Sequence, residues 1–150
     1  MVASLVQKKC VPCEGGTPPL EGEKIQEYLS ELKGSWVVQE NKKIKRTFKF
    51  KTFREGIEFV NRVADIAEEE NHHPDIHILY TKVTLELTTH AIGGLSENDF
   101  IMASKIDLLF GWKEVVEKYI TAKVSRFLSL KVLIVLVSIL LIILLVQRYV

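Results

Sequence analysis

From residue 76 to residue 87 the apolar side chains fall at alternate positions: Ile76, Ile78 and Tyr80, then Val83, Leu85 and Leu87. Alternation puts one row of side chains on a buried face and the other in water, as a half-buried strand requires. These residues predict a third and a fourth strand, because two similar stretches precede them. Trp36 to Gln39 reads as a strand, Glu40-Asn41-Lys42-Lys43 as a polar turn, and Ile44 to Phe50 as a second strand. In that second strand Ile44, Phe48 and Phe50 share a face with Arg46, while Lys45, Thr47 and Lys49 point outward.

Helical spacing fills the gaps between strands. After Pro18-Pro19, the residues Ile25, Tyr28, Leu29 and Leu32 form one apolar stripe, and Gly34 ends that helix. Thr52 with Glu55 three residues on makes a capping box, so a second helix begins there and runs to about Glu70. Its inward residues are expected to be Phe53, Val60, Val63, Ala64 and Ala67. Pro74 forbids continuation, which makes Asn71-His72-His73 the exit. Gly93-Gly94 breaks the fourth strand. Ser96 with Asp99 boxes the start of a third helix carrying Phe100, Ile101, Ala103 and Ile106. The order is α-β-β-α-β-β-α. Alternating strands joined by short turns imply an α+β fold, with a four-stranded antiparallel sheet and the three helices on one face.

At 150 residues and 47% hydrophobic content, the chain suits one small domain and is not a disordered polypeptide. Its 20 basic and 19 acidic side chains leave a net charge of +1, so no direct nucleic-acid binding driven by bulk charge is expected. Residues 1–107 hold 14 Lys/Arg and 17 Asp/Glu, a net −3, and residues 108–150 hold 6 and 2, a net +4. The two cysteines, Cys10 and Cys13, cannot make a disulfide scaffold. With no apolar signal region at the N-terminus, a reducing compartment is the default. A single C-x-x-C supplies two zinc ligands of four, or a redox pair without its preceding strand. The favoured reading is a Gly/Pro-rich leader, residues 1–17, lying over the domain.

The chain has four histidines, and three sit at element boundaries: His72 and His73 at the helix exit, His90 at the end of the fourth strand. Imidazole both gives and takes protons near neutrality, so histidines at the ends of neighbouring elements can converge on one pocket without a metal. A zinc site would want His73 and His77 on one helical face, but Pro74 lies between them. His77 itself reads as a solvated strand residue. Asp99 is as readily a helix cap as a catalytic group, and Glu68, in the run Glu68-Glu69-Glu70, would ordinarily face solvent.

Glu68-x-x-x-His72-His73-Pro74, then five residues to Tyr80, nine to His90 and eight to Asp99, resembles the signature of the pterin-4a-carbinolamine dehydratases. Cys10-Val-Pro-Cys-Glu-Gly-Gly, Ala67-Glu-Glu-Glu-Asn-His-His-Pro-Asp-Ile76 and Leu87-Thr-Thr-His-Ala-Ile-Gly-Gly-Leu95 through Asn98-Asp99-Phe100 also resemble family text, over about Lys8 to Asp107. The resemblance implies three helices on a four-stranded antiparallel sheet. It implies a lyase that removes water from 4a-hydroxytetrahydrobiopterin, giving quinonoid dihydropterin, with neither metal nor organic cofactor. It also implies a homodimer or homotetramer. Animal members of the family additionally bind a homeodomain transcription factor as a dimerisation cofactor. A non-catalytic binding protein on the same fold, a transcriptional partner or assembly factor, is the rival reading.

By position in the motif, His72 and His90 resemble the acid/base pair, and His73 an auxiliary or ring-positioning residue. Thr88 and Thr89 would offer hydrogen bonds to the pterin edge, and Pro74 would set the angle of the histidine turn. Glu68, one turn before His72, would hydrogen-bond an imidazole and raise its pKa. Asp99 would orient His90 or simply cap.

Past Asp107 the chain departs from the family. Val116, Tyr119, Ile120, Val124 and Phe127 keep helical spacing, and Val132 to Val146 is apolar except for Ser138. Counted from Phe127, twenty residues would span ~30 Å, enough for a hydrocarbon core. Lys113, Lys118, Lys123, Arg126 and Lys131 precede the run and only Arg148 follows. The expected organisation is therefore a leader (1–17), a dehydratase-like domain (18–110), a basic amphipathic linker helix (111–126) and a C-terminal hydrophobic helix (127–150). That last helix is read as a transmembrane tail anchor with the catalytic domain in the cytosol; without it the location would be cytoplasmic.

Overall fold

The computed structural model describes residues 4–12 and 17–111. The chain divides into a compact unit, Met1–Phe110, and a second unit, Gly111–Val150; all described residues but Gly111 belong to the first. The elements are α1 (Gly22–Glu31), β1 (Val37–Gln39), β2 (Lys43–Lys49), α2 (Phe53–Glu70), β3 (Asp75–Leu79) and β4 (Lys82–Leu87). A 3-10 turn, His90–Ile92, follows, and then α3, described over residues 97–111.

The four strands form one antiparallel sheet in the order β1-β2-β4-β3. Its register opposes Ile44 to Leu87, Phe48 to Val83 and Ile76 to Leu85. Ile44, Phe48, Val83, Leu85 and Leu87 therefore share one face, and all five are buried. The same core takes Ile25 from α1, Phe59, Val63 and Ala67 from α2, and Phe100 to Ala103 with Ile106 from α3. On the opposite face Lys43, Lys45, Thr47, Thr84 and His77 stand in the polar row that strand alternation demands. Three helices on one face of a four-stranded antiparallel sheet is the α+β fold expected from the pattern of residues.

Local chemistry accounts for the turns. The β1–β2 hairpin places Glu40 and Asn41 at positive φ and closes with a 2.9 Å bond from Lys42 N–H to the Gln39 carbonyl, a type I′ arrangement. At the start of α2 the Thr52 hydroxyl accepts from Glu55 N–H at 3.2 Å, as the capping box requires. Gly34 lies beyond the end of α1, and its role is different from the expected stop. A Cβ there would collide with the Arg46 guanidinium and the Asp107 carboxylate.

Several expectations shift. The buried face of α2 consists of Gly56, Phe59, Val63, Ala67 and Glu70, while Phe53 and Ala64 are exposed. The stripe is rotated because Phe59 packs among Phe48, Phe50 and Phe110 with ring centroids 4.8–5.9 Å away. Tyr80 lies outside β3. It occupies the hairpin turn at φ 52° and is exposed.

The membrane reading is corrected. Among the described residues no helix is long and apolar enough to cross a membrane. The longest, α2, has 18 residues and a length of about 27 Å, yet eight of them are charged: Arg54, Glu55, Glu58, Arg62, Asp65, Glu68, Glu69 and Glu70. Such a helix buries one stripe against a sheet and keeps the rest in water. The expected linker helix (111–126, beyond Gly111) and the anchor at 127–150 lie outside the described residues. Transmembrane character, a tail-anchored location and a membrane partner are accordingly withdrawn.

Candidate active site

The exit of α2 is built by its own residues. Asn71 adopts the left-handed conformation, φ 49° and ψ 40°, which asparagine tolerates better than most side chains. Its N–H bonds to the Glu68 carbonyl at 3.3 Å, and the next amide, His72 N–H, reaches back to the Ala67 carbonyl at 3.1 Å. That paired closure turns the chain sharply and fixes the backbone that carries His72. Pro74 then leads into β3.

A second element meets this exit. Beyond β4, Thr89 and Gly94 form an isolated bridge that pinches off the turn holding His90, and Gly93 takes φ 68° to complete it. Ser96 and Asp99 then open α3 as a capping box. Ser96 Oγ accepts from Asn98 N–H at 3.2 Å, and Asp99 Oδ2 accepts from Ser96 N–H at 2.8 Å.

Asp99 does more than cap. It is fully buried, and its Oδ1 lies 2.8 Å from His72 Nε2. Its Oδ2 also accepts from the Thr89 hydroxyl at 2.9 Å, and that hydroxyl is 2.7 Å from Ser96 Oγ. The carboxylate therefore faces His72 with one oxygen while two donors hold the other.

A cleft of about 540 Å³ opens over this network. His72, His73 and His90 line it, with Thr88, Thr89 and Ala91 from the end of β4 and its turn, Glu69, Glu70 and Asn71 from the exit of α2, and Cys10, Val11, Pro12 and Asn98. The volume falls in the range of small-molecule sites. His72 is half-buried and His73 and His90 are exposed. His73 Nε2 lies 3.1 Å from Glu68 Oε1, both on the surface. Glu68 thus meets an imidazole, that of His73, and Asp99 caps α3 as one of its two expected roles has it, but the histidine that Asp99 meets is His72 and not His90. The Thr89 hydroxyl is turned to Asp99, and the Thr88 hydroxyl donates to the Lys42 carbonyl at 2.8 Å. His77 stands on the outer face of the sheet and does not line the cleft.

Two residues of the site were missed in the sequence. Glu70 is buried, and it accepts from Lys105 Nζ at 2.5 Å and from Cys10 N–H at 2.8 Å. Burial opposes its ionisation, but Lys105 and the Cys10 amide outweigh it and hold the carboxyl below its ordinary range. A signal was present: Val63, Ala67 and Glu70 follow one helical stripe. Asn98 was the other. It donates to the Val11 carbonyl at 2.6 Å and accepts from Val11 N–H at 3.1 Å. The Cys10 thiol, half-buried beside Glu70, is pushed up to about 12, chiefly by burial. Cys13 lies outside the described residues, among which no cluster of His, Cys, Asp and Glu is placed to hold a metal ion.

Comparison with known proteins gives the family of the chain. Residues 18–109 match the family model described as pterin 4 alpha carbinolamine dehydratase. A protein of Rickettsia bellii bearing the pterin-4-alpha-carbinolamine dehydratase name is 50% identical over 109 residues, 73% of this chain and 96% of its own. One of Nitrosomonas europaea with the same name matches to the same extent, 50% over 109 residues, 73% and 96%. Among solved structures, a transcriptional coactivator/pterin dehydratase from Brucella melitensis is similar with a TM-score of 0.56 and 35% identity, over 60% of this chain and 96% of that one. On the strength of the family match and these relatives, the chain belongs to the pterin 4 alpha carbinolamine dehydratase family, enzymes of the lyase class.

Proposed function

We propose that the chain dehydrates 4a-hydroxytetrahydropterin, and that His72 and His90 move the protons. The observation that carries this reading is the buried Asp99 carboxylate 2.8 Å from His72 in a cleft that His73 and His90 also line. Losing water from carbon 4a requires a proton on the departing oxygen and removal of a proton from a ring nitrogen as the double bond forms. An imidazole can serve either step, each typically worth ~10²–10⁴-fold.

Asp99 decides which nitrogen of His72 works. Its Oδ2 already receives a hydroxyl and an amide proton, so the carboxylate acts as acceptor throughout and His72 Nε2 donates to Oδ1. In the uncharged ring the lone pair then resides on Nδ1, and this nitrogen takes the pterin ring proton. His90, at the turn after β4 that also lines the cleft, protonates the leaving hydroxyl. His73, fixed by Glu68, orients the ring. Thr88 and Thr89 contribute by holding the wall and Asp99, because their hydroxyls are engaged within the protein.

Stopped-flow absorbance of freshly generated 4a-hydroxytetrahydrobiopterin tests the reading. Wild-type protein should accelerate its decay. His72→Ala and His90→Ala should each lower turnover by about one to two powers of ten, and the double variant should remove nearly all of it. No acceleration at micromolar wild-type protein would place the chain among binding proteins that share the fold. Wild-type turnover in the double variant would leave the dehydratase and overturn the histidine assignment.

A further inference from the structure

The family match begins at residue 18, yet the cleft has a wall that comes from earlier in the chain. Cys10, Val11 and Pro12 line it together with His90 and its turn. This strap makes no helix or strand of its own, so side chains elsewhere must hold it in place.

Those holdfasts are specific. Asn98 grips Val11 through both its backbone groups, at 2.6 and 3.1 Å, as a neighbouring strand would. Glu70 accepts from Cys10 N–H at 2.8 Å, and Cys10 Sγ lies 3.7 Å from the Asn98 carbonyl. Flanking ion pairs, Lys8–Glu97 at 2.5 Å and Lys9–Glu69 at 3.1 Å, involve the two residues just before the strap. The anchors are chain neighbours of the candidate catalytic groups: Asn98 adjoins Asp99, and Glu70 lies two residues before His72. Docking of the strap and placement of the His72–Asp99 pair therefore depend on the same two helix ends.

The strap leaves an apolar side chain at the cleft. Val11 lines it while 65% exposed, among walls that are otherwise rich in polar groups. A buried anchor holding an exposed apolar residue at the mouth of a polar cleft suits a ligand with a polar ring edge and a less polar flank.

We infer that the Cys10–Pro12 strap is a substrate-contacting wall: Val11 packs against the pterin or its carbon-6 substituent, and Asn98 is the positioning residue that holds it there. This rests on the dehydratase reading of the same cleft. The strap fixes how tightly, and with which ring substituent, the carbinolamine binds, while the histidines set the rate of the bound complex.

Two variants and one binding measurement test it. Val11→Ser leaves both backbone groups that bond to Asn98 and replaces the apolar isopropyl group. Asn98→Asp keeps the acceptor for Val11 N–H and loses the donor to its carbonyl. Both should raise KM by about three- to tenfold with kcat held within about twofold, and Val11→Ser should act more on a biopterin than on a 6-methylpterin carbinolamine. Hydrogen exchange with 7,8-dihydrobiopterin should slow the Cys10 and Val11 amides together with those of residues 70–73 and 88–91. Unchanged KM in both variants, or strap amides indifferent to a ligand that protects the histidine segments, overturns the strap and leaves the dehydratase standing. Wild-type protein that neither turns over the carbinolamine nor shows protection of the histidine segments overturns both.

Discussion

At Asp99, one carboxylate caps a helix with Oδ2 and holds an imidazole with Oδ1. The two tasks can be separated by substitution. Asparagine keeps an acceptor for Ser96 N–H, so Asp99→Asn should fold, but it removes the charge facing His72 Nε2. We expect kcat to fall about tenfold or more with little change in Tm, and the loss to vanish in a His72→Ala background, because the two residues act as one unit. Cys10 supports a second test at this scale. Burial pushes its thiol up to about 12, so at pH 8 the thiolate is a minor species. In a chain with Cys13 replaced by serine, iodoacetamide should therefore alkylate Cys10 far more slowly than it alkylates free cysteine. Labelling at the free rate would mean that the strap leaves its anchors in solution.

Among the elements, β2 and β4 carry an ion cluster on the solvent side of the sheet. Glu86 lies 2.5 Å from Lys43 Nζ and 2.7 Å from Lys45 Nζ, and hydrogen bonds from these two lysines hold its carboxyl at about 2 against an ordinary 4.5. A carboxylate with a depressed folded-state pKa stabilises the fold above its unfolded value, and that contribution is lost as pH falls through the folded one. The window here runs from about 4.5 down to about 2. Glu86→Gln should lower Tm at neutral pH and flatten its decline across that window. A decline as steep as the wild type's would assign the acid sensitivity to other carboxylates. Helix α2 shows the other influence on an element, tertiary packing. Its cap and its exit follow local rules, but its rotation is set by the aromatic cluster around Phe59.

Across the whole molecule, Asp107 joins parts that are distant in the chain. From α3 it accepts Gly34 N–H at 2.8 Å, Trp36 Nε1–H at 2.9 Å and the guanidinium of Arg46, which also stacks over Phe48 at 4.4 Å. Asp107→Ala would leave a half-buried guanidinium and two N–H groups without their acceptor. It should destabilise the domain by about 3–5 kcal/mol in urea unfolding, and a loss under 1 kcal/mol would show that water replaces the carboxylate readily. Much of this molecule was nonetheless legible in its amino acids. Thr52 with Glu55 and Ser96 with Asp99 marked two helix starts, Pro74 bounded a third feature, and Val83, Leu85 and Leu87 declared a buried strand face. Each depends on residues a few positions apart, where sterics and hydrogen bonding act along a single stretch of backbone. The histidine motif also singled out a cleft, since its members sit at element ends. Folding alone decided the partnerships: His72 with Asp99 across 27 positions, Cys10 with Glu70 across 60, Arg46 with Asp107 across 61. Periodicity states which face of an element is apolar. Which charged group finds which across the core depends on how the faces pack, and there the need to satisfy every buried polar atom makes the choice.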